Sequence, residues 1–435
     1  MKNLKKLVAL VCALLMVTVM FAGCGSSNEP AAPSGEPVTI TFGIHVANPA
    51  EQEAVTNSIV EAFNEKYDGQ YTVEFVAADT ETHSKNMKLA AEDGTLPDIF
   101  WINSAEAPEY AANGFLMDLS DYLANSADID EALNGMENAF NDGTMQYGLP
   151  YQCNVQGFFY NKALFDKAGV AYPTDETTYD DFISMIGDLN KAGITPISIG
   201  SKNSLFAMWP FNEFLARYGW EGMYEGIAAG EDKYNNAELT KCFEKIQGMT
   251  DAKAFNSTVA TSEYFDAKQA FIDGEAAMFG TGQWDCAAFD EALGENVGFW
   301  WGPVFEDTDA AQDLAMKVPS APIVVSAAVA DDADKNAAVS AFLDFYYGLD
   351  AANISYAGSV FPATSYSDVS ATDTQYAINS MIEVLSSGWT SPAAAPDQTL
   401  DPATQEALYD AIFGIIQGNY DPSKALDKID AAAAN

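Results

Sequence analysis

The 435-residue sequence predicts an α/β fold built on doubly wound, mostly parallel sheet. Three observations carry this. Apolar strand-like and helix-like stretches alternate through the first hundred residues after residue 37. The run Leu96-Pro97-Asp98-Ile99-Phe100-Trp101 is short and apolar, as strands buried on both faces are. Aromatic residues make up 12% of a chain with only 19% charged residues, which is enough apolar material for two cores.

The elements follow in order. Val38 to Ile44 alternates with a period of two and reads as a strand. Pro49 to Tyr67 carries Val55, Ile59, Val60 and Phe63 on one helical stripe. Tyr71 to Val76 is a second strand, Lys85 to Glu92 a second helix and Leu96 to Trp101 a third strand. Strand–helix–strand succession implies right-handed crossovers and a layered α/β domain. Turn signals gather between Tyr147 and Gly157. Helical patterns then dominate at 179–192, 209–218, 237–249 and 264–273. Ala276 to Gly280 and Ile323 to Ser326 are further apolar strands. From Lys335 onward the pattern is helical, with loops around Pro362 and from Pro392 to Pro402. No tandem repeat is visible.

The N-terminus reads as an address rather than as fold. Lys2, Lys5 and Lys6 precede an apolar run from Leu7 to Met20, too short to span a bilayer comfortably. Phe21-Ala22-Gly23-Cys24 resembles a bacterial lipobox, with Cys24 as the lipidated residue. The alternative is an ordinary secretory signal with an incidental cysteine. Residues 1–23 are read as the signal peptide. Residues 24–37, small, polar and proline-rich, are read as a flexible tether.

Charge narrows the partners. Acidic residues outnumber basic ones 63 to 20, a formal charge of −43, so nucleic acid is not an expected partner. The same excess argues against a polybasic grip on anionic lipid and leaves acyl chains as the anchor. Cys153, Cys242 and Cys286 remain beyond the signal and the lipobox, with no CxxC. They read as buried free thiols, although one disulfide is compatible with their number. Two histidines, His45 and His83, are too few for a histidine-rich metal site; no metal and no cofactor is expected.

Four segments together resemble a known family. They are Asp93-Gly94-Thr95-Leu96-Pro97-Asp98-Ile99-Phe100-Trp101 and Tyr147-Gly148-Leu149-Pro150-Tyr151. Phe159-Tyr160-Asn161-Lys162-Ala163-Leu164-Phe165-Asp166-Lys167-Ala168-Gly169 follows, and then Phe271 to Met278 with Gly282-Gln283-Trp284. In that order they resemble the extracellular solute-binding proteins of sugar-type ABC importers, the group that includes maltose-binding protein. Tyr179 departs from the family pattern, which has Trp there. The resemblance implies a periplasmic-binding-protein fold: two α/β lobes joined by a hinge with crossovers. On that basis residues 38–150 plus about 276–334 are expected in the N-terminal lobe. Residues 151–275 plus about 335–435 are expected in the C-terminal lobe.

A cleft that holds sugar needs aromatic faces for the C–H side of the ring and planar amides or carboxylates for its hydroxyls. Ligands of open α/β sheets sit beyond the carboxyl ends of strands. The candidates are His45, Asp79, Trp101, Asn103, Ser104, Asn154, Trp209, Gln283, Trp284, Asp285 and Trp389. Trp101, Trp284 and Trp389 also match aromatic positions of the family. Trp209 serves a cleft or a core reading equally, and His45 a ligand or a loop reading. The expected function is a monomeric, lipid-anchored binding protein that delivers a carbohydrate to an ABC permease without chemistry. It would act on the outer face of the cell membrane, or in a periplasm. The competing readings are the same fold with a peptide or polyamine ligand, and a secreted glycoside hydrolase.

Overall fold

The computed structural model describes residues 37–202, 207–367, 369–385 and 389–434. The signal peptide, Cys24 and the tether up to residue 36 lie outside the described residues.

Ten strands form two sheets. Val38–Ile44 (β1), Tyr71–Ala77 (β2), Ile99–Trp101 (β3), Leu149–Pro150 (β4) and Pro322–Val325 (β10) make the first, in the order β2-β1-β3-β10-β4. Cys153–Asn161 (β5), Thr195–Ser198 (β6), Ala276–Gly282 (β7) and Val297–Trp300 (β8) make the second, in the order β6-β7-β5-β8. Lys317–Pro319 (β9) pairs with the start of β5. In the first sheet β1 runs parallel to β2 and β3, and β10 enters antiparallel to β3 and β4.

Strands β5, β7, β8 and β10 are covered on both faces and lack polar alternation, whereas β1 and β2, at one edge of the first sheet, keep it. Ile40, Phe42, Phe63 and Phe342 pack on one side of the first sheet; Phe100, Tyr110 and Val324 pack on the other. In the second sheet successive residues of β5 part company. Phe158 joins a core with Phe182 and Met278, and Phe159 joins one with Phe271, Phe279 and Phe289. Every residue of β5 is buried.

Three passages connect the lobes. The chain enters the second sheet between β4 and β5 and returns between β9 and β10. It packs the helix Ala333–Tyr346 on the first sheet, then leaves again through the loop around Phe361. Tyr347 donates its hydroxyl to Pro150 O at 3.0 Å, and Tyr346 donates to Tyr151 O at 2.9 Å, stapling that helix to the first passage.

This sheet membership corrects the expected lobe boundaries. β7 and β8 belong to the second sheet, so residues 276–300 do not join the first lobe. β7 pairs parallel with β6 and antiparallel with β5, the neighbours its doubly buried sequence requires. The helix Ala333–Tyr346 belongs with the first lobe, Phe342 lying 5.9 Å from Phe42 and 5.2 Å from Phe63. It follows β10 after one short turn and has no reach to another sheet. The sequence reading missed β6 and β8 and the short β4 and β9, and it read turn signals over the first half of β5. The expected helix 49–67 breaks at Glu53 into Pro49–Gln52 and Ala54–Lys66, and the helix expected at 85–92 runs Thr80–Asp93. Trp300 and Trp301 are both fully buried. The three cysteines are buried free thiols.

Candidate functional site

At the carboxyl ends of β1 and β3 the register Gly43↔Phe100 places the residues that follow side by side. The His45 ring stacks on Trp101 with centroids 4.2 Å apart and planes 22° from parallel. Gly43 makes this approach possible: a Cβ there would lie 2.9 Å from Phe100 Cβ and 3.4 Å from the His83 ring. His83 is buried and its Nε2 stands 2.8 Å from Trp101 O, fixing the strand end from behind. Tyr151, on the first passage between lobes, meets His45 edge-on at 6.0 Å. Its hydroxyl donates to Glu53 Oε2 at 3.0 Å and shares a short hydrogen bond with Thr56.

Burial drives the titratable groups of this cluster toward their neutral forms. Burial, with a smaller contribution from His83, pushes the His45 imidazole down to about 3. Burial pushes the Glu53 carboxyl up to about 7 against the opposing hydrogen bond from Tyr151. Among the described residues eleven buried side-chain polar atoms have no hydrogen-bond partner, and three of them, His45 Nδ1, Ser104 Oγ and Asn154 Oδ1, belong to residues expected at the site. Unpaired buried polar atoms are costly, so three near the strand ends and the crossover strand mark a surface built for a polar visitor. Asn154 lies on β5, three residues beyond Tyr151, and so on the strand that links this cluster to the next.

The second cluster forms where β7 ends. Trp284 folds over Gly282, where a Cβ would come within 2.3 Å of its ring, and Pro210 packs as closely over Gly280. Trp209 and Trp284 meet at 4.5 Å and 64°, and Tyr264 meets Trp209 at 5.4 Å. The Trp284 indole donates to the Tyr264 hydroxyl at 3.0 Å. Both tryptophans are partly buried.

Five of the expected site residues take other work. Gln283 is fully buried; its amide nitrogen donates to Cys153 O and Phe361 O, and its oxygen accepts from Phe361 N at 2.7 Å. It clamps two passages together and has no hydrogen-bonding capacity to spare. Asp285 is buried and held by Lys268 at 2.7 Å, Thr281 at 2.8 Å and Tyr264, so it positions Trp284 through Tyr264. Asp79 is exposed and caps the helix Thr80–Asp93, accepting from Thr82 N at 3.1 Å. Asn103 accepts from Ala105 N at 3.0 Å and closes the turn after β3. Trp389 lies 5.0 Å from the Arg217 guanidinium and 3.4 Å from Asp175. Arg217 ends the helix Trp209–Arg217, so Trp389 sits about 12 Å along that helix from Trp209. It packs on the body of the second lobe rather than with Trp284. His45, Trp101, Ser104, Asn154, Trp209 and Trp284 remain at the two clusters.

Glu53, Tyr151 and Tyr264 belong to the clusters and were not among the expected residues. Glu53 stood inside an uninterrupted helical pattern and Tyr264 at the head of another. Only Tyr151 carried a signal, the turn residues around Pro150.

Two lobes that each end in half-open aromatic surface, linked by three passages, are the build of a protein that closes on a small solute. The chain belongs to the bacterial extracellular solute-binding protein family, whose model matches residues 47–353. It is similar to a multiple sugar-binding protein of Streptococcus mutans, 21% identical over 291 residues, 63% of this chain and 64% of that protein. The chain spans less than two thirds of the length of the curated relatives it matches. Among solved structures it resembles a chitin oligosaccharide binding protein, with TM-score 0.76, 23% identity and coverage of 92% of this chain and 100% of that one. It also resembles a protein from a study of xylan utilization by Caldanaerobius polysaccharolyticus, with TM-score 0.79, 21% identity and coverage of 91% and 99%. At these identities the structural likeness establishes the two-lobed fold. No helix among the described residues is long and apolar enough to cross a membrane.

Proposed function

We propose that this protein captures a carbohydrate, of oligosaccharide size, between its lobes and delivers it to an ABC permease without altering it. The observation that carries the reading is the pairing of two aromatic surfaces, His45–Trp101 and Trp209–Trp284, with unpartnered polar atoms between and beside them. A pyranose offers one apolar C–H face and a rim of hydroxyls, which is the complement of such a surface. The printed names of the multiple sugar-binding relative and the chitin oligosaccharide neighbour point the same way. A hydrolase reading is disfavoured at the one carboxylate beside Trp284, since Asp285 is fully engaged by its own neighbours. Lipid attachment at Cys24 would keep the body on the outer face of the membrane as a monomer beside the permease.

Thermal unfolding against a panel of mono- and oligosaccharides, peptides and polyamines tests this. A ligand at 100 times its Kd stabilises by about 2.7 kcal/mol and moves the midpoint by several degrees. Trp101→Ala and Trp284→Ala are each expected to weaken the responding sugar about tenfold, by calorimetry, in proteins that still unfold cooperatively without ligand. A midpoint shift confined to peptides or polyamines would overturn the carbohydrate reading.

A further inference from the structure

We propose that Glu53 is the specificity-determining acid of the first lobe, gripping ligand hydroxyls with its outer oxygen while Tyr151 holds the inner one. This deepens the carbohydrate reading and rests on it. The helical pattern hides Glu53, but the backbone breaks there: at φ −133° and ψ 52° the residue leaves the helix between Pro49–Gln52 and Ala54–Lys66. The break turns its side chain toward the end of β1. Tyr151 donates to Oε2 at 3.0 Å, and the short hydrogen bond between Tyr151 and Thr56 sets the phenol in turn. The carboxyl plane is therefore fixed before any ligand arrives, which lowers the ordering cost of binding. Oε1 stands 3.9 Å from His45 Nε2, beyond hydrogen-bond reach. The side chain is 19% exposed, so it opens to solvent along one edge. That edge adjoins the His45–Trp101 stack and the unpartnered His45 Nδ1. A fixed carboxylate with one free oxygen beside an aromatic face suits adjacent hydroxyls of a sugar ring, and the unpartnered imidazole nitrogen takes a third polar group.

The titratable groups facing Glu53 are His45 at the end of β1, His83 on Thr80–Asp93, Tyr151 on the passage and Tyr346 on Ala333–Tyr346. Burial moves each toward its neutral form. With no cation opposite, the carboxyl titrates near 7 in the free protein. Hydroxyl donors select the ionised form, so binding expels a proton when the pH lies below that value. Affinity therefore rises with pH and levels off above it, with a limiting slope of about tenfold per pH unit on the acid side.

The test is isothermal calorimetry of the purified protein with diacetylchitobiose, xylan oligosaccharides and raffinose from pH 5.5 to 8.5, in buffers of differing ionisation enthalpy. The expected result is a Kd at least tenfold weaker at pH 5.5 than at pH 8, with proton release near pH 6. Glu53→Gln, which retains an acceptor for Tyr151, should bind with a flat profile and release no proton. A sugar that binds equally across the range, or more tightly in acid, would overturn the Glu53 assignment and leave the carbohydrate reading standing. The wild-type profile decides this even if Glu53→Gln folds poorly. Silence from all three sugars at every pH would overturn the carbohydrate reading, and the Glu53 assignment with it.

Discussion

Gln283 and Trp284 are adjacent in sequence and serve opposite ends. Gln283 turns inward and satisfies backbone groups of Cys153 and Phe361, 130 and 78 residues away. Trp284 is only partly buried and packs on Trp209 and Gly282. Replacing Gln283 with Leu leaves buried peptide groups without partners, so Gln283→Leu is expected to cost about 1–3 kcal/mol in urea unfolding. Sequence alone favoured both residues for the ligand because amides and indoles both bind sugars. Which of them has hydrogen-bonding capacity left is decided by residues far along the chain. Asp285 and Asp79 teach the same lesson: each was chosen as a polar residue at a strand end, and each has its carboxylate occupied, by Lys268 and Thr281 or by a helix N-terminus.

At the scale of elements, the end of β7 shows glycine used for close approach. Gly280 and Gly282 flank Thr281, and their missing side chains admit Pro210 and the Trp284 ring. The Gly-x-Gly-Gln-Trp stretch was legible as a family motif, and its local physics explains the motif. A methyl group at Gly282 would meet the far edge of Trp284, a movable side chain, rather than backbone. Gly282→Ala is therefore expected to displace the indole and weaken sugar binding to the level of Trp284→Ala, with a smaller change in thermal midpoint. Equal affinity for Gly282→Ala and wild type by calorimetry would show that the ring has another resting place. The break at Glu53 is the converse case. Propensity and periodicity both continue through it, and the turn exists because Glu53 is drawn to Tyr151 from another element.

For the whole molecule, three passages bind the lobes and stiffen their junction through Tyr346, Tyr347 and Gln283. The aromatic clusters stand on separate sheets, so gripping one ligand from both sides requires the lobes to approach. Small-angle scattering is expected to show a smaller radius of gyration on saturation with the responding sugar. An unchanged radius would mean that one cluster binds alone.

The sequence by itself determined the layered α/β class, four of the five strands of the first sheet and the placing of Trp101 at a strand end. These depend on periodicity and on residue type, which are written locally. Only the tertiary structure decided that β7 and β8 join the second sheet and that Ala333–Tyr346 returns to the first. It also decided that Gln283 and Asp285 are engaged within the fold while Glu53 stands beside His45. The physical reason is that hydrogen-bond saturation and burial are properties of contacts between distant residues. A polar side chain does not show in sequence whether its partner is a ligand or the protein itself.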